Sequence, residues 1–206
     1  MRELRDSVRT YYSAKLERHG STPRGVDWPN AISQQLRFVQ LLKLCDFATP
    51  FSLNDLGCGY GALLEFLAMR YGGAAIEYRG IDLSPDMVAA ARKCWADRQD
   101  ATFAVGSQCD HPADYSLASG VFNVRLGHPV AAWESYVEQI LTDLHQSSRI
   151  GFAVNFMRPH DTLPMEDGLY RTEPPRWIGF CESLGGKVEL VEDYGLREFT
   201  LLIRQP

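Results

Sequence analysis

Three glycines at alternate positions, Gly57, Gly59 and Gly61, separate an apolar run from a helix-patterned run, and they constrain the fold more than any other feature. Residues 51–56 (Phe-Ser-Leu-Asn-Asp-Leu) read as a buried strand, and Ala62-Leu63-Leu64-Glu65-Phe66-Leu67-Ala68-Met69 carries apolar residues at helical spacing. Glycine between two such elements lets the backbone turn sharply and approach a ligand with no Cβ in the way. The free N–H groups at the start of the helix add a positive end. A strand, a glycine loop and a helix in that order predict a nucleotide-cofactor loop.

The loop is compatible with two cofactors. Gly57-x-Gly59-x-x-Ala62 satisfies the dinucleotide pattern G-x-G-x-x-G/A, and Asp82, closing the strand Tyr78-Arg79-Gly80-Ile81, stands where a ribose-binding acid would. Against a dinucleotide stand Gly61, Asp55 two residues before Gly57, and the roughly fifty residues that precede the first strand. The runs 187–191 and 198–203, joined through Asp193-Tyr194-Gly195, add a terminal hairpin that βαβ winding alone does not produce.

With Asp55-x-Gly57-x-Gly59-x-Gly61 and Gly80-Ile81-Asp82-Leu83-Ser84-Pro85-Asp86-Met87 in view, the chain resembles the class I S-adenosylmethionine-dependent methyltransferases over residues 51–203. The resemblance implies a Rossmann-like, doubly wound α/β fold. Its seven-stranded sheet has the order 3-2-1-4-5-7-6, with strand 7 antiparallel. The expected organisation is one structural domain, with an N-terminal helical cap at 1–48 and the methyltransferase core at 49–206.

The remaining pattern fits such a core. Residues 6–18 predict a helix with Val8, Tyr11, Tyr12 and Leu16 near one face, and 20–29 predict a loop. Asn30 caps a second helix to about Cys45, with Ile32, Leu36, Val39, Leu42 and Leu44 as its apolar stripe. Helices then follow from Ser84 or Asp86 through Ala96 and at 130–145 and 176–184, and strands at 102–105, 115–124 and 150–156, with 159–175 irregular. Alternation of this kind favours a mostly parallel sheet covered on both faces.

Ligands of open α/β sheets bind beyond the carboxyl ends of the strands. The resemblance therefore gives Gly57, Gly59 and Gly61 to the methionyl part of the cofactor. Asp55 would orient the loop or receive the ammonium, Asp82 would accept the ribose hydroxyls, and Leu83 and Met87 would pack on the adenine. Many relatives carry an acid for the adenine amino group after the third strand. This chain has Ser107 there, with Gln108 as a substitute. In the fourth-strand motif, Ala118 and Ser119 fall near the sulfonium and Phe122 or Asn123 toward the acceptor.

A methyl transfer needs chiefly alignment, and a hydroxyl acceptor also needs a base. No catalytic residue stands out; His128, His160 and Asn123 are the candidates, with Asp161 and His19 as further bases. Substrate contacts are expected from Tyr11, Tyr12, Arg24 and Trp28 in the N-terminal cap and from Asn155, Arg158 and Tyr170 around the 158–176 insertion. Arg24 suits the cofactor carboxylate or an anionic substrate.

Composition narrows the partners. A net charge of −5 offers no basic surface for nucleic acid, and the Asn/Asp-Pro-Pro-aromatic signature of base methylation is absent. No apolar run approaches the ~20 residues that cross a bilayer, and the N-terminus carries no signal core. The five cysteines are odd in number and form no C-x-x-C pair, so neither a disulfide framework nor a metal site is expected. The expectation is a cytoplasmic enzyme that uses S-adenosylmethionine to methylate O or N of a small-molecule acceptor. The rivals are an NAD-dependent oxidoreductase and a non-catalytic S-adenosylmethionine-binding regulator. The only Tyr-x-x-x-Lys spacing noted, Tyr11 to Lys15, lies in the first helix, far from a catalytic position for the oxidoreductase.

Overall fold

The computed structural model describes residues 1–159 and 168–206. Two N-terminal helices, α1 (Arg2–His19) and α2 (Ala31–Leu41), precede the sheet, with a 3-10 turn (Pro23–Val26) between them. Asn30 caps α2 as its side chain type predicts, its Oδ1 accepting from the Ser33 N–H at 2.9 Å. Then come β1 (Phe51–Leu56), α3 (Ala62–Arg70), β2 (Ile76–Asp82), α4 (Pro85–Cys94) and β3 (Ala101–Val105). The second half adds β4 (Ala113–Ala118), α5 (Val130–Ser147), β5 (Ser148–Met157), α6 (Pro174–Ser183), β6 (Lys187–Val191) and β7 (Glu198–Arg204).

The seven strands lie in the order β3-β2-β1-β4-β5-β7-β6. The first five are parallel to one another, and β7 runs antiparallel to both β5 and β6. Successive strand residues point to opposite faces, and the core divides accordingly. Leu53, Tyr78, Leu117 and Ala153 belong to one apolar cluster with Phe38 and Leu41 of α2 and Leu63 and Leu67 of α3. Leu56, Ile81, Ala118 and Val154 belong to the other, with Leu4 and Val8 of α1, Trp133 and Val137 of α5 and Trp177 of α6. Both faces of the sheet are thus covered, which explains the continuous apolar strands.

Two details differ from the sequence reading. The fourth strand does not run to Val124; it stops at Ala118, because Gly120 takes φ +72° and turns the chain. Phe122 then enters the core, fully buried and stacked 4.8 Å from Phe156, rather than facing an acceptor. The apolar stripe of α2 is also rotated. Ile32 is 78% exposed, while Gln34, Arg37, Phe38 and Leu41 are buried. Arg37 is buried beside its partner Glu198, 161 positions along the chain.

Candidate functional site

A cleft opens at the carboxyl ends of β1, β2 and β4. Its floor is the glycine loop. Gly57 and Gly59 both line it, with φ of +78° and +55°. A Cβ on Gly57 would lie 2.5 Å from Val121 Cγ2, and one on Gly59 would lie 2.8 Å from Val26 Cγ1. Gly61 has a different task. It opens α3 at φ +89°, and its missing Cβ makes room for the Trp95 indole, 2.5 Å from where that carbon would sit. It is not among the cleft residues, which corrects its expected place beside the cofactor.

Two buried acids border the loop. Asp82 accepts the Gly59 N–H on Oδ2 at 2.9 Å and the Ser84 N–H on Oδ1 at 2.8 Å. A carboxylate has about four acceptor positions, so about two stay available toward the cleft. Asp55 accepts the Tyr78 hydroxyl at 2.5 Å. Burial pushes its carboxyl up to about 7; desolvation outweighs the Tyr78 hydrogen bond, and the nearby Asp82 charge adds to the rise. Burial raises Asp82 as well, against the two N–H groups that favour its charged form.

Such an acid keeps a proton that the unfolded chain releases near pH ~3.9. From there to about pH 7 the folded state binds more protons, so this group's contribution to stability is lost as pH rises through that window. Asp55→Asn should therefore raise the melting temperature relative to wild type more at about pH 8 than at about pH 5.5. An equal difference at both pH values would show that Asp55 is ionised throughout.

The other walls come from several elements. Leu83, Met87, Gly106 and Ser107 stand at one end, while Gln108 is not part of the wall. Ser119 lines the side below Gly120, and its buried Oγ has no hydrogen-bond partner among the described residues. Tyr12, Trp28, Gln34 and Phe38 close the cleft from the N-terminal segment. Desolvation pushes the Tyr12 hydroxyl up, so it stays a donor.

Several expected site residues serve elsewhere. Tyr11 donates to Asp27 Oδ2 at 2.6 Å beside the Lys15–Asp27 ion pair, fastening α1 to the Pro23–Val26 turn. Arg24 is exposed on that turn and is not a cleft residue. His128 Nε2 sits 2.7 Å from Ser7 Oγ, a tether to α1 outside the cleft. Asn123 is buried; its backbone oxygen accepts from Tyr170 N–H, and its Oδ1 has no partner among the described residues. Tyr170 itself is buried against Trp177, its hydroxyl donating to Glu134 at 3.0 Å. Arg158 pairs with Glu192 and Glu173 over the Phe199 ring. Asn155 is wholly buried between Gly120 and Glu198. None of these last three forms a polar rim at the cleft. His160 and Asp161 lie outside the described residues.

The sequence reading did not anticipate Arg9, Gln34, Phe38, Val121, Tyr136 or Ile140 in the walls. Gln34 carried a signal, a polar residue three positions before Arg37 on the face that packs against β5 and β7. The others are ordinary helix or loop residues by pattern. Among the described residues no cluster of His, Cys, Asp or Glu is arranged to hold a metal, and no helix is long and apolar enough to cross a membrane.

Bare glycine backbone, an acid with free acceptor positions and an unpaired serine hydroxyl suit a ligand with a diol and a cationic group. Comparison with known proteins agrees. Residues 54–147 match the family model of a methyltransferase domain. A putative methyltransferase of Mycobacterium tuberculosis (strain ATCC 25618 / H37Rv) is 43% identical over 166 residues, 80% of this chain and 99% of that protein. A trans-aconitate 2-methyltransferase of Rhodococcus jostii (strain RHA1) is 45% identical over 65 residues, 31% of this chain and 25% of that enzyme. Among solved structures, the magnesium protoporphyrin IX methyltransferase of Synechocystis PCC 6803 superposes with a TM-score of 0.66 at 14% identity, covering 98% of each chain. At that identity the likeness is one of fold.

Proposed function

The chain belongs to the class I S-adenosylmethionine-dependent methyltransferases, and from that premise we propose that it methylates O or N of a small metabolite. When bound, S-adenosylmethionine supplies a methyl group already activated on a sulfonium. The residues of this chain then have four tasks. Gly57 and Gly59 let the loop backbone meet the methionyl chain, Asp55 faces its ammonium, and Asp82 accepts the ribose hydroxyls on its open positions. Leu83 and Met87 pack on the adenine, with Ser107 at its edge, and Ser119 borders the reacting end.

One observation carries the small-acceptor reading. Tyr12, Trp28 and Phe38 of residues 1–48 form part of the cleft wall, so the N-terminal segment narrows the cleft into a concave pocket. A concave, largely apolar pocket with a few polar groups suits a compact molecule. The net charge of −5 also fails to favour nucleic acid, and we place the enzyme in the cytoplasm. The aromatic lining holds a flat or apolar acceptor body by contact.

Calorimetry with S-adenosylhomocysteine and with NAD, side by side, tests the cofactor. Micromolar binding of the first alone is expected. Binding of NAD alone would overturn the reading and return the glycine loop to a hydride carrier.

A further inference from the structure

The N-terminal segment meets β5, β7 and the loop after β4 through a closed ring of contacts. Arg37 lies with its Cζ 3.9 Å from the Trp28 ring centre. Its Nε donates to Glu198 Oε2 at 2.7 Å, and its Nη2 pairs with Oε1. Asn155 Nδ2 donates to Glu198 Oε2 at 2.9 Å, and Asn155 Oδ1 accepts the Gly120 N–H at 2.8 Å. Gly120 closes the ring against Trp28; a Cβ there would lie 2.4 Å from the indole. Arg37, Glu198 and Asn155 are 6%, 4% and 0% exposed.

A buried ion pair is a weak source of stability, since apolar residues of similar volume often serve as well or better. The carboxylate has another consequence here. It only accepts, so the amide of Asn155 must turn its NH2 toward Glu198. The amide oxygen is then aimed at Gly120 N–H. Arg37 fixes the carboxylate with two donors and holds the Trp28 wall against the same glycine. The ring thus couples the cap to the Ser119–Gly120 loop at the end of β4.

We propose that Arg37, Glu198 and Asn155 are positioning residues that set the Ser119–Gly120 loop and the Trp28 wall for binding at the reacting end of the cleft. This rests on the methyltransferase reading. None of the three is a cleft residue, so their effect on binding passes through Gly120 and Trp28.

The test measures S-adenosylhomocysteine binding by calorimetry and melting temperature in wild type, Asn155→Ala and the double variant Arg37→Met/Glu198→Leu. The single variant keeps the ion pair and releases Gly120. The double variant replaces the pair with apolar volume, an exchange that is often neutral for stability, and removes the group that orients Asn155. Both are expected to bind about tenfold more weakly or worse, the loss of one to two hydrogen-bonded constraints, with the double variant melting close to wild type. A double variant that both melts and binds like wild type would reduce the ring to scaffolding. Should the double variant not fold, unchanged affinity in Asn155→Ala overturns the proposal by itself. If wild type fails to bind S-adenosylhomocysteine, the methyltransferase reading falls first, an outcome separate from either variant result.

Discussion

Asp82→Ala is expected to lower the affinity for S-adenosylhomocysteine by about a hundredfold. Two hydrogen bonds from ribose hydroxyls to a charged acceptor are each worth about 1.5 kcal/mol or more, and about 1.4 kcal/mol is tenfold. The same side chain holds the Gly59 N–H at 2.9 Å, so alanine also frees the glycine loop from its anchor at the end of β2. Asp82→Asn separates these effects. Its one carbonyl oxygen still serves a backbone N–H, while its NH2 faces the other with the wrong polarity. An intermediate loss of about tenfold is expected for it. Calorimetry gives the affinities, and circular dichroism checks that each variant is folded. Unchanged affinity in Asp82→Ala would remove the ribose from this acid and leave Asp82 as a clasp between Gly59 and Ser84.

That double duty bears on what a sequence can disclose. Gly57, Gly59 and Asp82 were legible because their chemistry is local: a loop between a strand and a helix, and an acid at the next strand end. The parallel strands and both faces of the core followed from alternating patterns. The antiparallel β7 was legible in part, from the hairpin turn where Asp193 and Gly195 take φ of +56° and +84°. The full strand order came from family resemblance.

What stayed hidden was decided by partners far along the chain. Arg37 gives no local sign of burial, because its partner Glu198 lies 161 positions along the chain. Asn155, Arg158 and Tyr170 read as binding groups because polar residues near an insertion often are; in the fold, Glu198, Glu192 and Glu134 occupy them. His128 is similar, since a histidine before a proline has no spacing that announces Ser7 as its neighbour. The overlong fourth strand has a local cause. The apolar residues Val121, Phe122 and Val124 continue past Ser119, but a glycine at positive φ breaks the ladder without breaking the composition.

The glycine triad itself yields the sharpest contrast, because its members look equivalent in sequence and are not. Gly59→Val should abolish measurable S-adenosylhomocysteine binding. A β-branched residue at φ +55° is strained by about 1–2 kcal/mol for the left-handed backbone alone. Its Cβ would also crowd Val26, 2.8 Å away in the cleft wall, and the N–H that reaches Asp82 would shift with the loop. Gly61→Ala acts on the opposite side of the loop. Its methyl would displace the Trp95 indole, whose Nε1 donates to the Tyr60 carbonyl at 3.3 Å, and would strain the start of α3. A loss of about 2 kcal/mol lowers the melting temperature of a chain this size by roughly 4–8 °C. The folded fraction should still bind S-adenosylhomocysteine within a fewfold of wild type. The pair of variants therefore divides the loop into a ligand face and a packing face. Lost binding with an unchanged melting temperature in Gly61→Ala would move that glycine to the ligand face and put Trp95 among the groups that shape the cleft.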